Sequence, residues 1–176
     1  MKAQFWSFDL VFAVIIFVFA LVLLTYVWLN ISGEYSLLYG RNVANIQLQL
    51  NSLGSQLLSP GIPSNWNYIV NFSAVSAWQN ITVGLGNGTS GSLSQFKINA
   101  LQNMSSDNYQ AAKPALGVGY DYYITITGSW ISESIGKNPA QLNATSLQSS
   151  VLPVVINGAP AQMTIELWTN STLGLE

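Results

Sequence analysis

Twenty consecutive residues, Leu10 to Leu29 (LVFAVIIFVFALVLLTYVWL), carry no charge, no Gly and no Pro. At about 1.5 Å of rise per residue they make a helix of about 30 Å, the thickness of a bilayer core. The run stands behind a nine-residue head, MKAQFWSFD, and the chain after it is polar, weakly charged and rich in Asn, Ser, Thr and Gly. The sequence therefore reads as one apolar N-terminal helix carrying one external domain. Of the 176 residues, about 145 remain for that domain, enough for a single core.

Composition narrows what the domain can do. Charged residues make up 7% of the chain, against about 25% in an ordinary soluble protein, so neutral polar groups must cover its surface. With 49% hydrophobic and 12% aromatic residues it can bury a real core. The five basic residues, Lys2, Arg41, Lys97, Lys113 and Lys137, are scattered, so no basic patch invites nucleic acid. The chain has no Cys and no His, which removes thiol nucleophiles, disulfides, imidazole bases and nearly every zinc or haem site. Asn-x-Ser/Thr sequons start at Asn30, Asn71, Asn80, Asn87, Asn103, Asn143 and Asn170. Chance predicts about three in such a composition, so the excess favours an exported chain carrying N-linked glycans.

Met1-Lys2-Ala3 is too short for the n-region of a secretory signal, the apolar run is too long for its h-region, and no small-residue cleavage site follows. Lys2 and the free amine precede the run, and the next positive charge is Arg41, a bias that points the N-terminus to the cytoplasm. The head followed at once by an apolar helix resembles the class III, prepilin-type signal peptides of archaeal type IV pilin-like proteins. In that family a basic and a small residue precede a Gln, a prepilin peptidase cuts before the Gln on the cytoplasmic side, and the apolar helix is retained. Carried over, the resemblance implies a cut between Ala3 and Gln4, removal of residues 1–3, and Asp9 as the acid that follows the cut. Ala3 stands where Gly is usual, and Asp9 is sixth after the cut where the acid is usually fifth.

A carboxylate at the edge of an apolar helix is costly to desolvate unless paired. Asp9 is thus expected either to pair with the N-terminal amine of a neighbouring subunit, setting filament register, or to sit near the headgroups as a helix-start acid favoured by the helix dipole. Phe5, Trp6 and Phe8 suit one membrane interface, Tyr26 and Trp28 the other.

Beyond Gly33, a soft point, apolar residues at Tyr39, Val43, Ile46, Leu50, Leu53 and Leu57 fall on one helical stripe. It predicts an amphipathic stalk over 34–58 that packs on a sheet of the external domain, ended by Pro60-Gly61-Ile62-Pro63. Gly40 and Gly54 cost it helix stability. The long N-terminal helix is placed at 4–59, with 10–29 as its membrane or filament-core part, and the β-rich external domain at 60–176.

Within 60–176, Trp66 is read as a loop anchor, Tyr68 to Phe72 as a short extended piece and Asn80 to Gly86 as a strand. Leu93 to Asn103 reads as a helix with Phe96 and Leu101 inward. A second helix is expected from Asp107 to about Leu116, capped by Ser105 or Ser106 and kinked at Pro114. Tyr120 to Thr127 (YDYYITIT) alternates as a half-buried strand with Tyr120, Tyr122, Ile124 and Ile126 on one face. Ser129 to Thr145 reads as a polar loop. Asn157-Gly158 between two apolar runs is the strongest hairpin signal, with Pro153 marking an edge or bulge and Ala161, Met163, Ile165 and Leu167 facing the core. The expected fold class is α+β, a long N-terminal helix packed on a four-stranded, mainly antiparallel sheet. The pieces LLSPGIPSNW, VGLGNG, YQAAKPALGV, YDYYITI and the ELW strand end extend the resemblance to archaeal pilin-like ectodomains.

Chemistry is sparse. Gly86-Asn-Gly-Thr-Ser-Gly91 matches G-x-G-x-x-G with Asp107 about twenty residues on, but no parallel βαβ repeat follows, so it reads as a glycine turn. The external carboxylates, Glu34, Asp107, Asp121, Glu133, Glu166 and Glu176, form no paired motif. Asp107 or Asp121 with backbone carbonyls could hold calcium, though no metal, cofactor or catalytic residue is expected. Tyr123 and Trp168 are expected partly exposed.

The resemblance implies a structural, non-enzymatic subunit of an archaeal type IV pilus-like surface filament, used in adhesion. It would be held in the membrane by its N-terminal helix, then assembled with copies of itself, with a prepilin peptidase and an assembly machinery as partners. One alternative is a signal-anchored surface glycoprotein or adhesin that does not polymerise. Another is a sugar-binding or hydrolytic domain on an anchor, expected to show two convergent carboxylates in a cleft.

Overall fold

The computed structural model describes residues 4–142, 144 and 146–169, with the side chains of 4–7 and 33–42 outside the description. Ala3, Asn143, Asn170 and Glu176 therefore lie outside it, as do the side chains of Gln4, Glu34 and Tyr39. The chain forms two compact units, Met1–Asn42 and Val43–Glu176, and each is described by itself.

Helix α1 spans Gln4–Leu58. In the first unit its polar side chains turn back on the helix: Thr25 Oγ1 donates to the Leu21 carbonyl at 2.8 Å, and Asn30 Nδ2 to the Tyr26 carbonyl at 2.9 Å. Such bonds to the preceding turn satisfy groups that a hydrocarbon surrounding would leave unpaired.

In the second unit, α1 buries Ile46, Leu50, Leu53 and Leu57, the four-and-three spacing of the stripe. Gly54 earns its place: a Cβ there would lie 3.3 Å from Leu152 Cδ1 and 3.8 Å from Ile165 Cδ1. The helix thus approaches the sheet closely at this turn, which offsets the roughly 1 kcal/mol that Gly costs a helix.

The remaining elements are α2 (Trp66–Phe72), β1 (Ser92–Leu93), α3 (Gln95–Asp107), α4 (Tyr109–Ala115), β2 (Asp121–Gly128), β3 (Ser132–Gly136), β4 (Ser146–Ile156) and β5 (Ala159–Thr169), with 3-10 turns at Val75–Asn80 and Pro139–Gln141. The sheet runs β1-β4-β5-β2-β3; the short β1 pairs parallel to β4, and every other pairing is antiparallel. The β4–β5 hairpin turns at Asn157 (φ 50°) and Gly158 (φ 82°), the left-handed pair that a two-residue turn demands. Register then sets Leu152 opposite Met163, Ile124 opposite Ile165 and Ile124 opposite Ile135. The inner row is Tyr122, Ile124, Ile126, Ile135, Val154, Ile156, Met163, Ile165 and Leu167, all buried. Together with the stripe of α1 they form one core. This is the α+β plan, a long helix packed on a mainly antiparallel sheet, that the resemblance implies.

Several local expectations fail. Tyr68 to Phe72 belongs to helix α2. The expected loop over 129–145 contains β3, anchored by buried Ile131 and Ile135, so the sheet has five strands. Helix α3 runs through Ser105 and Ser106 to Asp107, and the cap of α4 is Asn108, whose Oδ1 accepts from Ala111 N at 3.0 Å. Phe96 is 79% exposed; in its place α3 turns Lys97, Ile98, Leu101 and Met104 inward.

Asn80 to Gly86 is extended but forms no strand of its own, meeting the sheet only through an antiparallel bridge between Gly86 and Leu93 of β1. Its backbone is taken up elsewhere: Thr82 and Ile62 exchange both bonds, Val83 N donates to Ala115 O, Leu85 N to Leu57 O and Gly86 N to Ser59 O, all at 2.7–2.9 Å. Trp66 Nε1 adds a bond to Gly84 O at 2.8 Å, and Gln56 Nε2 one to Val83 O at 3.0 Å. The segment thereby caps the last carbonyls of α1, which a helix end leaves without partners. Gly84 permits the approach, since a Cβ there would collide with Ser59 O and Gly61 N.

A polar cluster lies under β2. The Tyr109 and Tyr122 rings stack with centroids 4.9 Å apart. Tyr109 Oη accepts from Tyr122 N at 2.8 Å, and Ser105 Oγ bonds the Tyr122 hydroxyl. Lys113 pairs with Asp121 at 3.2 Å, and Lys137 Nζ stands 4.6 Å from the centre of the Tyr109 ring. Burial is the main cause raising both phenols, opposed at Tyr122 by its bond to Ser105 and at Tyr109 by its backbone bond; Tyr122 is pushed up to about 12.

Two outcomes follow for stability. Gly84→Ala should lower it by about 3 kcal/mol in denaturant titrations, whereas Gly119→Ala, with an ordinary φ and only the end of the Gln49 side chain in van der Waals contact at 3.9 Å, should change it by less than about 0.5 kcal/mol. A phenol whose pKa is higher folded than unfolded stabilises the fold fully below its unfolded value of 10 and loses that contribution as pH climbs to about 12. The denaturation midpoint should therefore fall across that interval, and Tyr122→Phe should flatten the fall.

Candidate functional site: the apolar helix and the sequons

The feature with the plainest chemical consequence is the first part of α1. Phe8–Ser32, 25 residues, is long and apolar enough to cross a membrane, and none of it is buried. Phe12, Ile16, Phe19, Leu23 and Val27 are as exposed as their neighbours round the helix, so there is no inward stripe. A helix apolar all round requires an apolar surrounding. Nineteen large apolar side chains between Phe8 and Ile31 stand exposed; at about 1–2 kcal/mol each, holding them in water costs on the order of 20–40 kcal/mol. A domain's net stability is about 5–15 kcal/mol, so the helix suits a membrane anchor or a signal sequence.

Asp9 is exposed and is the one acid within Phe8–Ser32. Helix α1 has no acidic residue in its first turn, and Asp9 falls in the second, where the pull of the helix dipole has largely faded. Tyr26 and Trp28 are exposed near the other end of the span, suited to an interface belt. The processing residues Ala3 and Gln4 lie outside the description, apart from the backbone of Gln4.

Of the seven sequons, Asn30, Asn71, Asn80, Asn87 and Asn103 are described, and all five are exposed. Asn71, Asn87 and Asn103 are brought to one cleft, although 32 residues separate the first from the last. Sequence reasoning had no means to group them, because α2 and α3 meet only through the tertiary fold.

The G-x-G-x-x-G segment is a turn, with Gly88 and Gly91 at positive φ, leading through the two-residue β1 into α3. Asp107 is exposed at the end of α3, and Asp121 is engaged by Lys113. Among the described residues no cluster of three or more acids could hold a metal ion. Trp168 corrects an expectation, being fully buried. It lies on the central strand β5 with Leu147 and Asp121 beside it in register, so strands on both sides flank its ring. Tyr123 is half-buried.

Two carboxylates at the middle of the span test its role. At about 2.5–3.5 kcal/mol each, Val18→Asp with Val22→Asp should release the full chain into the soluble fraction after an alkaline wash, whereas the parent chain should remain with membranes. No protein-family model, no curated protein and no solved structure matches the chain.

Proposed function

We propose that this chain is a pilin-like structural subunit of an archaeal type IV pilus-like surface filament, non-enzymatic and working in adhesion. The observation that carries the reading is a 25-residue helix apolar on every side, beside a unit that closes its own core. Such a helix needs one apolar surrounding while it is stored and another while it works: lipid first, then a bundle of its own copies. The head MKAQFWSFD and its resemblance to prepilin-type signals favour removal of residues 1–3, leaving Gln4 as the mature N-terminus.

In the bundle, Asp9 would meet the new amine of a neighbouring Gln4. A charge so placed is costly in one register and satisfied in another, so it selects the register. The second-turn position of Asp9, beyond the reach of the dipole, supports this over the role of a helix-start acid. The exposed sequon at Asn80, outside the cleft of Asn71, Asn87 and Asn103, would carry an N-linked glycan on the outward domain.

Electron microscopy and N-terminal sequencing of surface material test the reading. Filaments whose subunit begins at Gln4, and their loss in Asp9→Ala, are the expected results. Filaments unchanged in Asp9→Ala would remove the register role. An intact Met1 without filaments would leave a non-polymerising, signal-anchored glycoprotein.

A further inference from the structure

The cleft that gathers Asn71, Asn87 and Asn103 has a second peculiarity. It is an open hollow of about 810 Å³ between α2, α3 and the turn at Gly86–Gly88. On its wall stand three aromatic rings turned to solvent: Phe72 at 83% exposure, Phe96 at 79% and Tyr68 at 62%. Large apolar rings gathered at the surface in this way mark contact sites. Neither Phe serves the core, which closes without them.

The polar part of the lining decides what such a site would contact. Its hydrogen-bonding side chains are mainly neutral amides, including Asn65, Asn67 and Asn99 besides the sequon residues. Each amide offers two donors and an acceptor together. No acidic residue lines the cleft, and its one cation is turned away from use: Lys97 Nζ donates to Pro60 O at 2.7 Å and Gly86 O at 3.0 Å. A cationic ligand would find no counter-charge, an anionic one only an ammonium already engaged by two carbonyls, and a purely aliphatic one would leave the amides unpaired at a cost of about 1–3 kcal/mol each. A neutral molecule with ring faces of C–H bonds and rims of hydroxyls answers both. We infer that this cleft binds a neutral oligosaccharide borne by another molecule, its sugar faces against Phe72 and Phe96 and its hydroxyls on the asparagine amides.

The two convergent carboxylates expected of a sugar-binding or hydrolytic domain are missing from the cleft. That requirement belongs to hydrolysis, where one acid and one base must flank the bond, and not to binding. The inference specifies the adhesive part of the proposed function, yet it stands on the cleft and not on polymerisation; filament loss in Asp9→Ala and sugar binding are separate results.

The test uses the full chain in detergent micelles, made in a host without N-glycosylation, titrated calorimetrically with cellohexaose, mannohexaose and, as a charged counterpart, hexagalacturonate. Saturable binding of a neutral hexaose is expected, weakened about tenfold or more in Phe72→Ala/Phe96→Ala. The unfolding midpoint should hold, because both side chains are exposed. Absence of saturable binding by both neutral sugars, equal binding in the double variant, or binding of hexagalacturonate alone would overturn the inference. So would glycans on Asn71, Asn87 or Asn103 in protein from its own host, since the cleft would then hold the chain's own sugar.

Discussion

The fold of the second unit depends on how one helix ends. The last turn of α1 presents carbonyls without partners, and the chain answers with an extended segment some 25 residues later, whose Leu85 and Gly86 amides take the Leu57 and Ser59 carbonyls. The same segment receives Trp66 Nε1 at Gly84 O and sends Val83 N to Ala115 O. Helix end, PGIP turn, α2 and α4 are thereby joined around a strip of backbone that forms no strand of its own and touches the sheet only at the Gly86–Leu93 bridge. Lys97 closes the arrangement from the other side, its ammonium shared between Pro60 and Gly86 carbonyls. Burial lowers the pKa of that ammonium below the usual lysine value, and the two carbonyls are its hydrogen-bond partners.

The two units obey opposite rules. Val43–Glu176 closes a single core built from the α1 stripe and the inner row of the sheet. Phe8–Ser32 buries nothing. A chain that can bury a core so thoroughly in one place and leaves nineteen large apolar side chains bare in another is incomplete as a solitary molecule in water.

How far the sequence could be read follows from the physics of each signal. The apolar run, the Ile46-Leu50-Leu53-Leu57 stripe, the alternation of YDYYITIT and the Asn157-Gly158 turn are long or stereochemically unambiguous, and each corresponds to an observed element. Shorter signals failed where tertiary structure decided. Five residues from Tyr68 to Phe72 are too few to tell a helix turn from a strand. Asn80 to Gly86 is extended, as its Val and Thr content suggests, but its hydrogen bonds go to a helix end that no local pattern announces. Period counting put Phe96 inward, and Trp168 was expected partly exposed; instead α3 rotates Phe96 onto the cleft wall, and Trp168 is buried on β5 at the centre of the sheet. The cleft itself was illegible, because its residues come from α2, α3 and a turn that only folding brings together.

The scarcity of charge has a consequence for the surroundings the protein can tolerate. Acid unfolds proteins chiefly by protonating carboxylates that are paired in the native state and by charging buried histidines. This chain has no His, and among the described residues one ion pair, Lys113–Asp121, is the whole of its carboxylate pairing. Apart from the Lys97 ammonium, aliphatic packing and neutral backbone bonds hold most of the rest, and neither titrates in ordinary media or is screened by salt. Acid and salt therefore find few groups to act on among the described residues of the second unit.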